Sequence, residues 1–127
     1  MDMDMILKPE AVRVFSAVSS KKRLLHELGG IADSVYHVSQ TEAVEALQER
    51  ESLGPTGVGN GVALPHARLD GLEHVVGALV LLEKPVDFSA VDRQPVDLVF
   101  ALFAPRDAGV EHLKALALVS RTLRDPS

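Results

Sequence analysis

One histidine, His66, ends a stretch of backbone-special residues: Gly54-Pro55-Thr56-Gly57-Val58-Gly59-Asn60-Gly61 runs through Val62, Ala63, Leu64 and Pro65 into the imidazole. A neutral imidazole is a nucleophile near pH 7 and can take a phosphoryl group as a covalent adduct. Such an adduct carries nearly two negative charges and needs cationic or amide donors close by. Arg50, Arg68 and His112 are the candidate side-chain donors, together with backbone amides near His66.

Other chemistries fit the stretch poorly. A P-loop needs Lys and then Ser or Thr after its last glycine, whereas Asn60 and Gly61 follow Gly59. A dinucleotide fingerprint lies between a strand and a helix, whereas Gly57, Gly59 and Gly61 alternate and lead into a strand. Alternating glycines permit positive φ and close backbone approach, so amides can be aimed at one point. Pro65 holds Leu64 extended and ends regular pairing just before His66, which places the imidazole at a strand terminus. Without cysteine, an H-E-x-x-H motif or clustered carboxylates, two histidines make a poor metal site, and no metal or cofactor is expected.

The elements that must carry these residues follow from periodicity. After an extended segment, "AVRVFSAV", Ser19 or Ser20 caps a helix bearing Leu24, Leu25, Leu28 and Ile31 on one face, weakened at its end by Gly29 and Gly30. A second helix opens at Ser39, whose side chain pairs with the amide of Glu42, and runs past Val44 and Leu47 toward Arg50 until Gly54-Pro55 stops it. Strands are expected at Val62–Leu64, Val75–Leu82 and Val96–Phe103. The last two are apolar almost throughout, so both faces need covering: an α/β fold with a mixed β-sheet flanked by helices on both faces. A last helix from about Asp107 to Gly109 onward aligns His112, Leu116, Val119 and Leu123 on its core-facing stripe. Asp125-Pro126 reads as the opening of another helix, so residues 1–127 are expected to form a single domain ending short of a C-terminal helix.

Composition narrows the class. The chain has 127 residues, 46% of them hydrophobic and 24% charged, with a net charge of −5, which suits one globular domain and disfavours a phosphate-tracking nucleic-acid surface. The longest basic run, Lys21-Lys22-Arg23, reads as a solvated helix start. Cysteine is absent, in keeping with a reducing compartment. The acidic N-terminus lacks signal-peptide features and Val75–Leu82 is far too short to span a bilayer, so a soluble cytoplasmic protein without membrane insertion is expected. Thr56 and Asn60 read as turn formers, and His26, His37 and His74 receive no role.

The string "RESLGPTGVGNGVALPHARLDGL" (Arg50 to Leu72), followed by "VDLVFALFAP" and "EHLKALALVSRTL", resembles the EIIA domain of the fructose, mannitol and nitrogen-regulatory class of the bacterial phosphotransferase system. The resemblance runs from about Ser19 to the last residue, and the T-G-x-G-N-G-x-A-x-P-H core is a specific string supported by two later blocks in order.

What the resemblance implies is a phosphohistidine relay. His66 falls on the phosphorylated histidine, which receives its phosphoryl group from an HPr-type carrier protein. His112 falls on the second active-site histidine, and Arg50 on the arginine that neutralises the phosphoryl charge. Arg68 reads equally as a solvated side chain or a ligand. Within the class the chain looks most like the nitrogen-regulatory branch, in which phosphorylation state governs binding to regulatory partners tied to nitrogen metabolism and potassium. The alternatives are a fructose-type transport component that donates to an EIIB domain, and a binding module of the same fold that is never phosphorylated.

Overall fold

The computed structural model describes residues 6–88, 90, 92–106, 114, 115 and 117–119. Strand β1 (Leu7–Phe15) is followed by two helices, α1 (Lys21–Tyr36) and α2 (Gln40–Leu53). Then come β2 (Gly57–Gly59), β3 (Val62–Ala63), β4 (His66–Leu69), β5 (Val76–Val86) and β6 (Val96–Pro105).

Both helices start where a serine can satisfy an orphan amide. Ser20 accepts from the Arg23 amide at 3.1 Å, and Ser39 from the Glu42 amide at 3.3 Å, each cap stabilising by about 1 kcal/mol. The glycine pair does not weaken the end of α1, as its composition suggests; the helix continues to Tyr36 and closes on His37, whose φ is 62°. Gly29 is there for packing. A Cβ on it would lie 2.5 Å from Val44 Cγ2 and 3.1 Å from the Gln40 carbonyl, so its absence lets α1 and α2 approach. Nor is the basic run simply solvated: Lys21 pairs with Glu51 at 2.7 Å and lies over the Phe88 ring.

The sheet order is β1-β5-β6-β3-β2, with β4 also on β6. β5 and β6 run antiparallel, while β1 joins β5, and β3 and β4 join β6, in parallel. β6 shows why both faces are covered. Val99, Ala101 and Phe103 enter the core shared with α1 and α2, and the alternate residues Phe100, Leu102 and Ala104 enter a second core with Ala115 and Val119. Helical residues 114, 115 and 117–119 thus cover the face opposite α1 and α2. Val119 is buried on the expected stripe; His112, Leu116 and Leu123 lie outside the described residues.

Two expectations about the glycine-rich stretch change. Gly57–Gly59 is itself a strand, paired antiparallel with β3 through a turn in which Asn60 and Gly61 both take positive φ, 58° and 79°. This Asn-Gly turn matches the right-handed twist of a tight hairpin. Pro65 breaks the pairing, as expected, yet the ladder on β6 resumes at once: Ala63 faces Val99, and His66 faces Leu102. His66 therefore stands at a strand terminus, as expected, as the first residue of β4. Thr56 is buried, not a turn former, and its hydroxyl donates to Glu51.

Candidate functional site

The last turn of α2 and the first residue of β4 meet at the site. Arg50 sits in that last turn, where a cation complements the helix dipole, and His66 is half-buried beside it. Arg50 Nε donates to His66 Nε2 at 3.1 Å, while its Nη1 donates to the Gly54 carbonyl at 3.0 Å. On the other side of the ring, His66 Nδ1 lies 3.0 Å from the Leu64 carbonyl. A carbonyl only accepts and a guanidinium only donates, so the pattern assigns the proton to Nδ1 and a lone pair to Nε2.

Strand alternation sorts the neighbours. Ala67 and Leu69 enter the core, leaving His66 and Arg68 on the other side of β4. A cleft of about 570 Å³ opens over His66, with Arg50, Arg68 and Arg106 among its lining residues. Glu42, Glu45 and Glu49 of α2 form its acidic wall. Arg68 Nη1 donates to the Arg106 carbonyl at 3.0 Å, and Arg106 pairs with Asp70 at 2.7 Å in an exposed contact that contributes little to stability.

The structure thus joins Arg50 to His66, puts Arg68 on the same cleft, and leaves His112 outside the described residues. Sequence reasoning did not single out Arg106, Glu51 or the Leu64 carbonyl. Arg106 follows the end of β6 and reaches the cleft only because β6 pairs with β4. A backbone carbonyl leaves no sequence signal beyond the neighbouring Pro65. Among the described residues no group of three or more His, Cys, Asp or Glu could hold a metal ion, and no helix is long and apolar enough to cross a membrane.

In class, this is an α/β protein whose mixed sheet, between helical layers, presents an imidazole nitrogen hydrogen-bonded to a guanidinium, a pairing suited to receiving an anionic group. The chain belongs to the family described as "Phosphoenolpyruvate-dependent sugar phosphotransferase system, EIIA 2", whose model matches residues 5–127. EIIA domains relay phosphoryl groups, so the general role is phosphoryl transfer. A nitrogen regulatory protein of Bradyrhizobium diazoefficiens is 47% identical over 120 residues, 94% of this chain and 78% of that one. The crystal structure of nitrogen regulatory protein IIA-Ntr from Neisseria meningitidis superposes with a TM-score of 0.90 at 36% identity, covering 98% of this chain and 85% of that one. Mannitol IIA from Escherichia coli has a TM-score of 0.78 at 21% identity over 93% of this chain and 83% of its own, a likeness of fold alone.

Proposed function

We propose that the chain is a phosphocarrier that accepts a phosphoryl group on His66 from an HPr-type protein and acts as a regulator whose phosphorylation state sets its binding to partners in nitrogen and potassium metabolism. The observation that carries this reading is the imidazole held on both sides: Nδ1–H donates to the Leu64 carbonyl, and the Nε2 lone pair accepts from Arg50.

In the proposed step the Nε2 lone pair attacks the phosphorus of the donor's phosphohistidine. The new N–P bond forms as the donor's N–P bond breaks, and the departing imidazole keeps that electron pair. Positive charge developing on the His66 ring is met by the Leu64 carbonyl dipole. Arg50, released from Nε2, donates to the phosphoryl oxygens with its planar fork. His112 is assigned the second histidine's part, a hydrogen bond to His66 or its phosphoryl group.

The test is incubation with phosphoenolpyruvate, enzyme I and an HPr-type protein, followed by intact mass with and without mild acid. The expected result is an acid-labile gain of one phosphoryl group that His66→Ala abolishes. No gain would leave the unphosphorylated binding module as the better account. Rapid onward transfer to an added EIIB domain would favour the fructose-type transport reading instead.

A further inference from the structure

Arg50, Glu51, Thr56, Leu64 and His66 form a closed circuit. Arg50 donates to His66 Nε2, and His66 Nδ1 donates to the Leu64 carbonyl. Leu64's own amide donates to the Thr56 carbonyl at 2.9 Å. Thr56 in turn gives both its amide, at 3.2 Å, and its hydroxyl to Glu51 Oε1, and Glu51 is the chain neighbour of Arg50 in α2.

Glu51 is an odd residue for that place. Its side chain is only 6% exposed, and it stands in the last turn of a helix, where the dipole disfavours a carboxylate. Burial of such a group costs stability unless donors answer it; here Lys21 at 2.7 Å and Thr56 do. A well-packed apolar residue could hold the helix end without that cost. What the carboxylate adds is direction: it fixes Thr56, whose carbonyl holds the Leu64 amide and so aims the Leu64 carbonyl at His66.

We propose that Glu51 and Thr56 are positioning residues that set the tautomer of His66, keeping the proton on Nδ1 and the Nε2 lone pair toward the cleft. Neither touches the incoming group; both act through the Leu64 carbonyl and the end of α2. The consequence for phosphoryl uptake rests on His66 being the acceptor, whereas the consequence for the tautomer does not.

The experiment compares the parent chain with Thr56→Val, Thr56→Ser and Glu51→Gln by ¹⁵N chemical shifts of the His66 ring and by single-turnover uptake from a phosphorylated HPr-type donor. The parent should show the Nδ1–H form. Thr56→Val should mix the tautomers and slow uptake about tenfold or more, while Thr56→Ser, which keeps the hydroxyl, restores both. Glu51→Gln should move the ring shifts in the same direction, and it supplies the reading if Thr56→Val does not fold. Parent-like ring shifts in a folded Thr56→Val or Glu51→Gln variant would overturn the proposal. If the parent takes up no phosphoryl group, the functional reading fails and the ring shifts alone decide the positioning role.

Discussion

Arg50 and His66 are joined at 3.1 Å, Nε to Nε2, across the gap between the last turn of α2 and the first residue of β4. The same guanidinium holds the Gly54 carbonyl at 3.0 Å, so one side chain ties the helix end, the following loop and the imidazole together. A lysine cannot reproduce this, because its ammonium is a single point charge. Arg50→Ala is expected to slow phosphoryl uptake about 100-fold, with Arg50→Lys recovering only part of the loss. Rapid-quench measurement with a phosphorylated donor protein decides it; parent-like rates for the lysine variant would show that the fork is dispensable.

Gly29 and Gly30 are neighbours in sequence and opposites in packing. A Cβ on Gly29 would press on Val44 Cγ2 at 2.5 Å, whereas one on Gly30 meets the Gln40 side chain at an ordinary 3.5 Å. Gly29→Ala should therefore destabilise by about 1–3 kcal/mol through overpacking. Gly30→Ala should stabilise by up to about 1 kcal/mol through helix propensity. Urea melts of the two variants provide the comparison, and equal midpoints would contradict it.

Tyr36 links α1 to the sheet: its hydroxyl donates to the Gly77 carbonyl at 2.6 Å and accepts from the Lys8 amide at 3.1 Å. Burial pushes its pKa above the ordinary 10.0. Because the folded state holds the proton more tightly, this contribution is whole below pH 10.0 and fades as pH rises through the folded value. Tyr36→Phe should cost about 1–3 kcal/mol near neutrality, by stranding the two backbone groups, and should shrink the alkaline loss of stability. Denaturation curves from pH 7 upward test both parts; an unchanged alkaline slope in the variant would exclude Tyr36 as its source.

Asp92 braces the β2–β3 hairpin, accepting from the Gln94 amide at 3.1 Å and the Asn60 amide at 3.0 Å. These bonds, the Gln94 one foremost, hold its carboxyl below the ordinary 3.8. The sign is opposite to that of Tyr36: the contribution is present above pH 3.8 and is lost as pH falls through the lower folded value. Asp92→Ala should speed exchange of the Asn60 amide at neutral pH, with the difference from the parent narrowing in acid. A gap that stays constant down to pH 3 would rule out the carboxylate as its cause.

The legible parts of the fold were those written in local chemistry. Ser20 and Ser39 cap the two helices because a short hydroxyl side chain reaches an amide three residues on, whatever surrounds it. Unbroken apolar runs marked β5 and β6 as strands covered on both faces. Short pairings were harder to see, since β2 and β4 are strands only by virtue of what lies beside them. Gly29 reads locally as a helix-weakening residue for a related reason: helix propensity is local, but the need for close approach is set by α2.

By itself the sequence determined the two capped helices, the long strands β5 and β6 with both faces buried, and the prominence of His66, because caps, periodicity and glycine geometry act within a few residues. Only the tertiary structure decided what the imidazole touches. Arg50, Leu64 and His66 converge because a helix end and an interrupted strand are folded side by side, and hydrogen-bond direction, which fixes the proton on Nδ1, exists only once those atoms are within about 3 Å of one another.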